Sequence, residues 1–426
     1  MDLRRFLKAK ITGLSARLSR LARVDNAFVG LRPQDMPYAP SPRHFEVANA
    51  RLARVEQEIR RRFAQLRGWE RRPPQRALID IALVERELDR ARRLFGMFYE
   101  VFAQRGTAFA PSLAAHDAIA EDCYQAIRQA APRIFRGPLL KPVCYLEHGY
   151  SPATMRRGVS LSRLLGEANP FPLIRIPWDR DQPWQSVFLH EVAHNLQADL
   201  GIWQENRQAV LRRVMGSARD PFLATVYGRW HKEIFADLAA ILLGGPAAAW
   251  GMADFLAHPQ PRTMTYRPGG AHPTAYLRVY LLAEMLRRMG FQRPATRLLR
   301  VWQGLYRPRT GHRIPASLMS SAPRLVPMVV DEIAFQTRRN LAQRALADII
   351  PFRREDEEAI REGSRRLASG RDTDLPPRHL VSAAHYALEQ GRIPPQRLAR
   401  CVIAQLTARS VEARREQQPS LLRLAA

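Results

Sequence analysis

The spacing H-E-x-x-H constrains this chain more than any other feature, and it stands in the stretch Ser186 to Asn195, S-V-F-L-H-E-V-A-H-N. On a helix, His190 and His194 lie four residues apart and project from one face, close enough to bind a single metal ion. Glu191 sits on the flank of that face, where it can hold and deprotonate a metal-bound water. The neighbours Val187, Phe188, Leu189, Val192, Ala193 and Leu196 are apolar and the run contains neither Gly nor Pro, so a buried helix is expected. Two histidines by themselves read equally as core or surface residues. A third ligand decides between the readings.

Glu233 is the candidate. The segment W-H-K-E-I-F-A-D-L-A-A-I-L-L-G-G-P reads as a helix that stops at Gly244-Gly245-Pro246. On it Glu233, Ala236, Asp237 and Ala240 follow the i, i+3, i+4, i+7 pattern and share one face. Two carboxylates on a small, apolar helix face are costly to bury unless they are paired or bind a metal. The alanines let this helix approach the first one closely. Glu233 then completes a His, His, Glu set, and Asp237, one turn on, can accept the free ring N–H of a ligand histidine. The competing reading is an ordinary helix with Glu and Asp facing water. His231, two residues before Glu233, points elsewhere on the helix, and His148 is likewise read as a non-ligand.

A third stretch, H-P-T-A-Y-L-R, follows a Gly- and Pro-rich segment and supplies His272, Tyr276 and Arg278. These are donors that can stabilise an oxyanion opposite a metal. Taken alone, the stretch reads as a loop leading into a helix, Leu277 to Arg288, with Tyr276 packed and Arg278 solvated.

H-E-V-A-H, E-I-F-A-D and H-P-T-A-Y-L-R, in that order, resemble the gluzincin metallopeptidases, most closely the branch of the CAAX prenyl proteases and HtpX-type membrane proteases. The resemblance covers roughly Leu173 to Gly290. It implies zinc bound by His190, His194 and Glu233, Glu191 as general base, Asp237 orienting a ligand histidine, and His272 and Arg278 near the substrate or transition state. In such sites an edge strand commonly binds an extended peptide by backbone pairing. The candidate here is Leu173 to Pro177, with Leu173, Ile174, Arg175 and Ile176 facing substrate; without the resemblance the same residues read as a plain core strand. The expected fold is α+β, a zincin-like metallopeptidase domain with a small sheet and active-site helices. The expected chemistry is peptide hydrolysis by a zinc-activated water.

The rest of the chain brackets that domain. Residues 1–135 read as a basic helical region, 136–307 as the catalytic domain and 308–426 as a helical C-terminal region. Long amphipathic helices are expected over Phe45 to Leu66 and Arg76 to Gln104, with Arg71-Arg72-Pro73-Pro74 as the turn between them, and a third near His116 to Ala131. The N-terminal stripe Leu3, Leu7, Ile11, Leu14, Leu18 and Leu21 is ringed by basic residues; it can pack on its own domain or lie on an anionic membrane. Short runs P-V-C-Y-L-E-H, R-G-V-S-L and P-L-I-R-I-P read as strands. Trp203 to Met215 reads as a helix that roofs or pads the cleft. Near the C-terminus two similar segments each start a helix after Pro-Pro, and their His379 and His385 read as core or surface residues.

Charge leaves a second function class open. The 426 residues carry a formal net charge of +27, and Lys occurs only at positions 8, 10, 141 and 232, so nearly all the positive charge is Arg. Such an excess attracts nucleic acid, an anionic membrane surface or an acidic partner, although it also suits a basic surface with no dedicated partner. The alternative function is thus a basic helical binding protein with a structural or vestigial metal site; a zinc hydrolase of a non-peptide substrate is the third. Cys123, Cys144 and Cys401 are far apart with no C-x-x-C, which suits a reducing cytoplasm. No run reads as long and apolar enough to span a bilayer, the best candidate, Ala236 to Ala257, being interrupted by Asp237, Asp254 and Gly-Gly-Pro.

Overall fold

Two buried carboxylates and a run of Ala, Leu and Ile make one long helix the centre of the larger part of this protein. A computed structural model describes residues 2–21, 23–135, 139–147, 153–155, 169–179, 181–307 and 313–422. The chain divides into two compact units, Met1–Leu113 with Arg157–Phe171, and Ala114–Arg156 with Pro172–Ala426. The architecture is mostly helical with one small sheet, an α+β arrangement in the loose sense.

The first unit is built on α1 (Leu3–Leu18), α2 (Pro42–Gln65) and α3 (Pro74–Ala103). The N-terminal stripe packs inward: Leu7, Leu14 and Leu18 are buried, and α1 lies on α3. Its basic flank pairs with the same helix, Lys10 with Glu85 at 3.2 Å and Arg17 with Asp89 at 3.1 Å. Phe45, Phe98, Phe102 and Phe171 form an aromatic centre with ring separations from 4.6 to 6.2 Å.

In the second unit α4 (Ala110–Ala130) leads into a three-stranded sheet of β1 (Val143–Glu147), β2 (Ala153–Met155) and β3 (Leu173–Pro177). The strand order is β1-β3-β2, with β1 parallel and β2 antiparallel to β3. Leu173–Pro177 is therefore the central strand, not the edge expected from the sequence. Leu173, Ile174 and Arg175 have neighbours on both sides, Val143 to Tyr145 and Met155 to Ala153, so their backbone groups are committed to the sheet. Among the described residues β1 and β2 are the two edges of the sheet. The strand expected in R-G-V-S-L, and His148, lie outside the described residues.

Helices follow in series: α5 (Val187–Asp199), α6 (Trp203–Ala218), α7 (Pro221–Leu256), the short α8 (Gln260–Thr263), α9 (Ala275–Arg288), α10 (Gln292–Leu305) and α11 (Ala316–Ala334). The short α12 (Leu346–Ile349), then α13 (Arg354–Ala368), α14 (Pro377–Glu389) and α15 (Pro395–Leu422), complete the chain. Helix α7 packs against α5, α6, α9, α11 and α14. Its start is set by Asp220, whose side chain accepts from the backbone N–H of Phe222 and Leu223, with Pro221 at the first position.

The expected stop at Gly244-Gly245-Pro246 is present as a break between two helical stretches, which α7 joins across a kink. Gly245 takes φ 67° and ψ −156°, a region open essentially to Gly alone, and the helix resumes at once because Pro246 suits a first helical position and Ala247 to Ala249 go on burying apolar surface. At the kink the carbonyl of Gly244 accepts from Ser382 Oγ of α14 at 2.7 Å. Gly244 itself permits close approach of α5, since a Cβ there would stand 2.6 Å from Leu189 Cδ1.

Continuity through the kink also overturns the expectation that no run could span a bilayer. By length and composition α7 qualifies, with a mean hydropathy of 1.5 over its most apolar window, but 89% of that window is buried within the protein, as in a core helix. Replacing Gly245 by Ala forces a Cβ into the Phe352 ring and a strained backbone, and is expected to lower stability by about 2–5 kcal/mol. A urea unfolding midpoint equal to the wild type would show that the kink relaxes instead.

Candidate metal centre

Helix α5 begins at Val187, so the H-E-x-x-H stretch falls in its first two turns, where every residue from Val187 to Gln197 is buried. His190 and His194 face the same way, with ring centroids 4.6 Å apart. Across from them on α7, Glu233, Ala236, Asp237 and Ala240 are all buried on one face, and the two alanines leave room for α5 to pack closely. One ligand atom from each of His190, His194 and Glu233 lies within 4.8 Å of the others, and all three residues are buried.

The orientation of these side chains has identifiable causes. Nδ1 of His190 stands 2.8 Å from Asp237 Oδ1, which makes that nitrogen the donor to Asp237 and turns Nε2 towards Glu233. Asp237 in turn receives Nε and Nη2 of Arg278 from α9, at 2.5 and 2.7 Å. Arg278 Nη2 is also 3.3 Å from the ring of His190. An arginine, an aspartate and a histidine from three helices are thus joined in a buried chain that ends on the candidate ligand.

Electrostatics follow from burial and pairing. Burial by itself would depress His190, but the Asp237 carboxylate outweighs it and pushes the imidazole up to about 9. His194 lacks such a partner, and burial holds it below its ordinary value against the pull of Glu233. Burial would raise Asp237 and Glu233, yet the charge of Arg278 keeps Asp237 low, and the two histidines keep Glu233 well below the usual carboxylate range.

The residues fit a divalent cation on one further observation. Glu233 Oε2 is buried and makes no hydrogen bond, although Nε2 of His190, His194 and His272 stand 3.5, 3.5 and 3.3 Å from it. Three ring nitrogens gathered around one unbonded carboxylate oxygen suit a shared positive centre better than pairwise hydrogen bonds. Two imidazoles and one carboxylate are also a common first set of ligands for zinc.

These groups line a cavity of about 320 Å³ together with Ala153, Thr154, Val187, Glu191, Lys232, Met252, Phe255, His272 and Arg278. Glu191 is placed beside the two histidines as the sequence suggests, and Thr154 Oγ1 donates to its carbonyl at 2.9 Å, tying β2 to α5. His272 stands at the mouth, with 68% of its side chain exposed.

Tyr276 does not join the group. It is 3% exposed, its hydroxyl pairs with that of Tyr280 at 2.9 Å, and it is not among the cavity-lining residues. Leu173, Ile174, Arg175 and Ile176 do not line the cavity either; the strand residues that do are Ala153 and Thr154 of β2. Helix α6 pads the outer side of α7: the ring of Trp203 lies against His231, whose Nδ1 bonds the Gly228 carbonyl at 2.8 Å. His379 is buried against Phe352, and burial pushes it down to about 3; His385 lies 3.5 Å from Glu389.

No protein-family model matches this chain, and no curated protein and no solved structure is significantly similar to it. Sequence reasoning passed over Lys232, Met252 and Phe255. Lys232 adjoins Glu233 and was open to notice, whereas Met252 and Phe255 reach the cavity only because α7 continues past Gly245.

Asp237→Asn removes the negative charge and one of the two acceptor oxygens that hold His190 and Arg278, and is expected to weaken the affinity for added zinc by about 10- to 100-fold in a competition with a chelator. Unchanged affinity would mean that His190 is held without Asp237.

Proposed function

We propose that this chain is a zinc-dependent metallopeptidase with a zincin-like catalytic fold, of the gluzincin kind. The observation that carries the reading is the convergence of His190, His194 and Glu233, all buried, on one cavity that Glu191 also lines. H-E-x-x-H on one helix with Glu on a second is a ligand set that serves hydrolysis, because it leaves a position open for water or substrate.

His190, His194 and Glu233 would hold the zinc, which when bound would supply a Lewis acid able to bring the pKa of a water to about 7 and to polarise a carbonyl. Glu191 accepts the proton of the attacking water as its oxygen bonds to the peptide carbon, then delivers that proton to the leaving nitrogen as the C–N bond breaks. His272, exposed at the mouth, is the side chain free to donate to the oxyanion. Arg278 has a different part from the one its sequence position suggests. Two of its donor nitrogens are committed to Asp237, so it acts as a positioning residue that keeps Asp237 ionised and His190 in register.

Elemental mass spectrometry of the purified protein is expected to find one zinc per chain, lost in His194→Ala and in Glu233→Ala. Glu191→Gln is expected to keep the zinc and to slow cleavage of a mixed peptide library by about 10²- to 10⁴-fold. Undiminished cleavage by Glu191→Gln would remove Glu191 from the mechanism, and a protein that binds no zinc would end the proposal.

A further inference from the structure

Lys232 is a charged lining residue to which neither the ligand set, the general base nor the Arg278–Asp237 pair gives a role. Four lysines occur in a chain with 67 basic residues. Two of the others have plain structural partners, Lys10 on Glu85 and Lys141 on Glu121. Lys232 instead lines the cavity, with 26% of its side chain exposed. Its Nζ lies over the ring of Trp203, 5.8 Å from the centroid, and 3.8 Å from Glu233 Oε1.

Glu233 therefore has two sides. Oε2 faces the three histidines and Oε1 faces Lys232. A lysine suits that place where an arginine would not. A guanidinium offers a planar fork that would engage both oxygens of Glu233 and compete with a metal for them, while an ammonium is a compact point charge with no such fork. The 3.8 Å separation is an ion contact rather than a hydrogen bond, so the ammonium keeps donors for another acceptor.

Charge in the cavity points to that acceptor. Arg278 is neutralised by its two bonds to Asp237. Once a divalent cation engages Glu233 and the two histidines, the positive charges of the cation, Lys232 and Arg278 exceed the negative ones of Glu191, Glu233 and Asp237 by one. Lys232 carries that surplus at the open side, one residue from the ligand Glu233. Of the remaining lining, Ala153, Val187, Met252 and Phe255 are apolar, and Thr154 gives its hydroxyl to the Glu191 carbonyl. Beside His272, which the proposed mechanism assigns to the oxyanion, Lys232 is the partner that this wall offers an anion.

We propose, resting on the metallopeptidase reading, that Lys232 is a specificity residue that binds a carboxylate of the substrate next to the scissile bond. The carboxylate can be the C-terminal one or that of an acidic side chain, and the chemistry of recognition is the same for both. Trp203 holds the lysine stem and ammonium in place from below through its ring face.

The test is equilibrium binding, by calorimetry, to the zinc-loaded Glu191→Gln protein, which separates recognition from turnover. Three probes are compared: N-acetyl-tetra-alanine as the free acid, the same peptide as its C-terminal amide, and N-acetyl-Ala-Glu-Ala-Ala amide. One or both of the anionic probes should bind about 10- to 100-fold tighter than the neutral amide, as expected for a charged hydrogen bond. The probe that gains identifies the source, free acid for the chain terminus and internal Glu for a side chain. In the same background, Lys232→Met and Lys232→Gln are expected to abolish the preference while each retains one zinc per chain. Equal binding of all three probes to the parent protein, or a preference that survives both substitutions, overturns the proposal, and the first of these needs no variant to fold. Loss of zinc in both Lys232 variants also overturns it, by assigning Lys232 to the support of Glu233. Failure of the metallopeptidase reading is seen separately, as absence of zinc from the wild type.

Discussion

Two carboxylates placed inside an otherwise apolar helix are the constraint on which the larger unit depends. Glu233 and Asp237 are 4% and 0% exposed, and an ionised carboxylate at such depth is tolerated only when opposite charge or hydrogen bonds surround it. The neighbours that offset that cost come from two other helices, His190 and His194 from α5 and Arg278 from α9. Satisfying the pair therefore binds three helices into one arrangement, and the same contacts assemble the candidate ligands. Removing one partner leaves charge buried without compensation, so fold and site are expected to fail together at these positions.

Helix α7 is the other half of that constraint. Buried along nearly its whole length, it can accept neighbours on every side, and five helices pack on it. Small residues set how closely they come. Gly245 bends the axis, Met252 and Phe255 beyond it line the cavity, and Ser382 of α14 donates to the Gly244 carbonyl at the bend. The C-terminal helices thereby have a stated physical task, supporting the bend behind the site. Hydropathy high enough for a membrane span is here the signature of burial against other helices.

Charge is handled in two ways in this protein. Most basic residues are arginines, and many are engaged in local ion pairs such as Arg60 with Glu56 and Arg365 with Glu362, each at 2.6 Å. Exposed pairs of this kind add little stability, and their main effect is to moderate repulsion in a chain of net charge +27. At the cavity the use is different. Arg278 is buried and held by a bidentate bond, where the fork geometry of a guanidinium matters, and Lys232 is a single charge at an open edge.

Helical spacing alone was enough to place His190 beside His194 and Glu233 beside Asp237, because i, i+4 neighbours share a face whatever the rest of the chain does. Apolar periodicity likewise marked the long helices of the first unit and the burial of Leu7, Leu14 and Leu18, since a continuous stripe has to be covered. Strand order was beyond the reach of any local pattern. That Leu173–Pro177 is central, and that β2 supplies the cavity residues, depends on which segments pair across the sheet, and a short apolar strand reads the same at an edge or in the middle. The kink at Gly245 had a legible cause but an illegible outcome, because Gly-Gly-Pro ends a helix unless enough apolar surface beyond it is buried to resume. The pairing of Tyr276 with Tyr280 is an i, i+4 contact within one helix and so was open to the same reading, whereas tertiary structure alone brought Arg278 to Asp237, 41 residues away, and Lys232 over the ring of Trp203: a long polar side chain takes the partner that packing brings within reach.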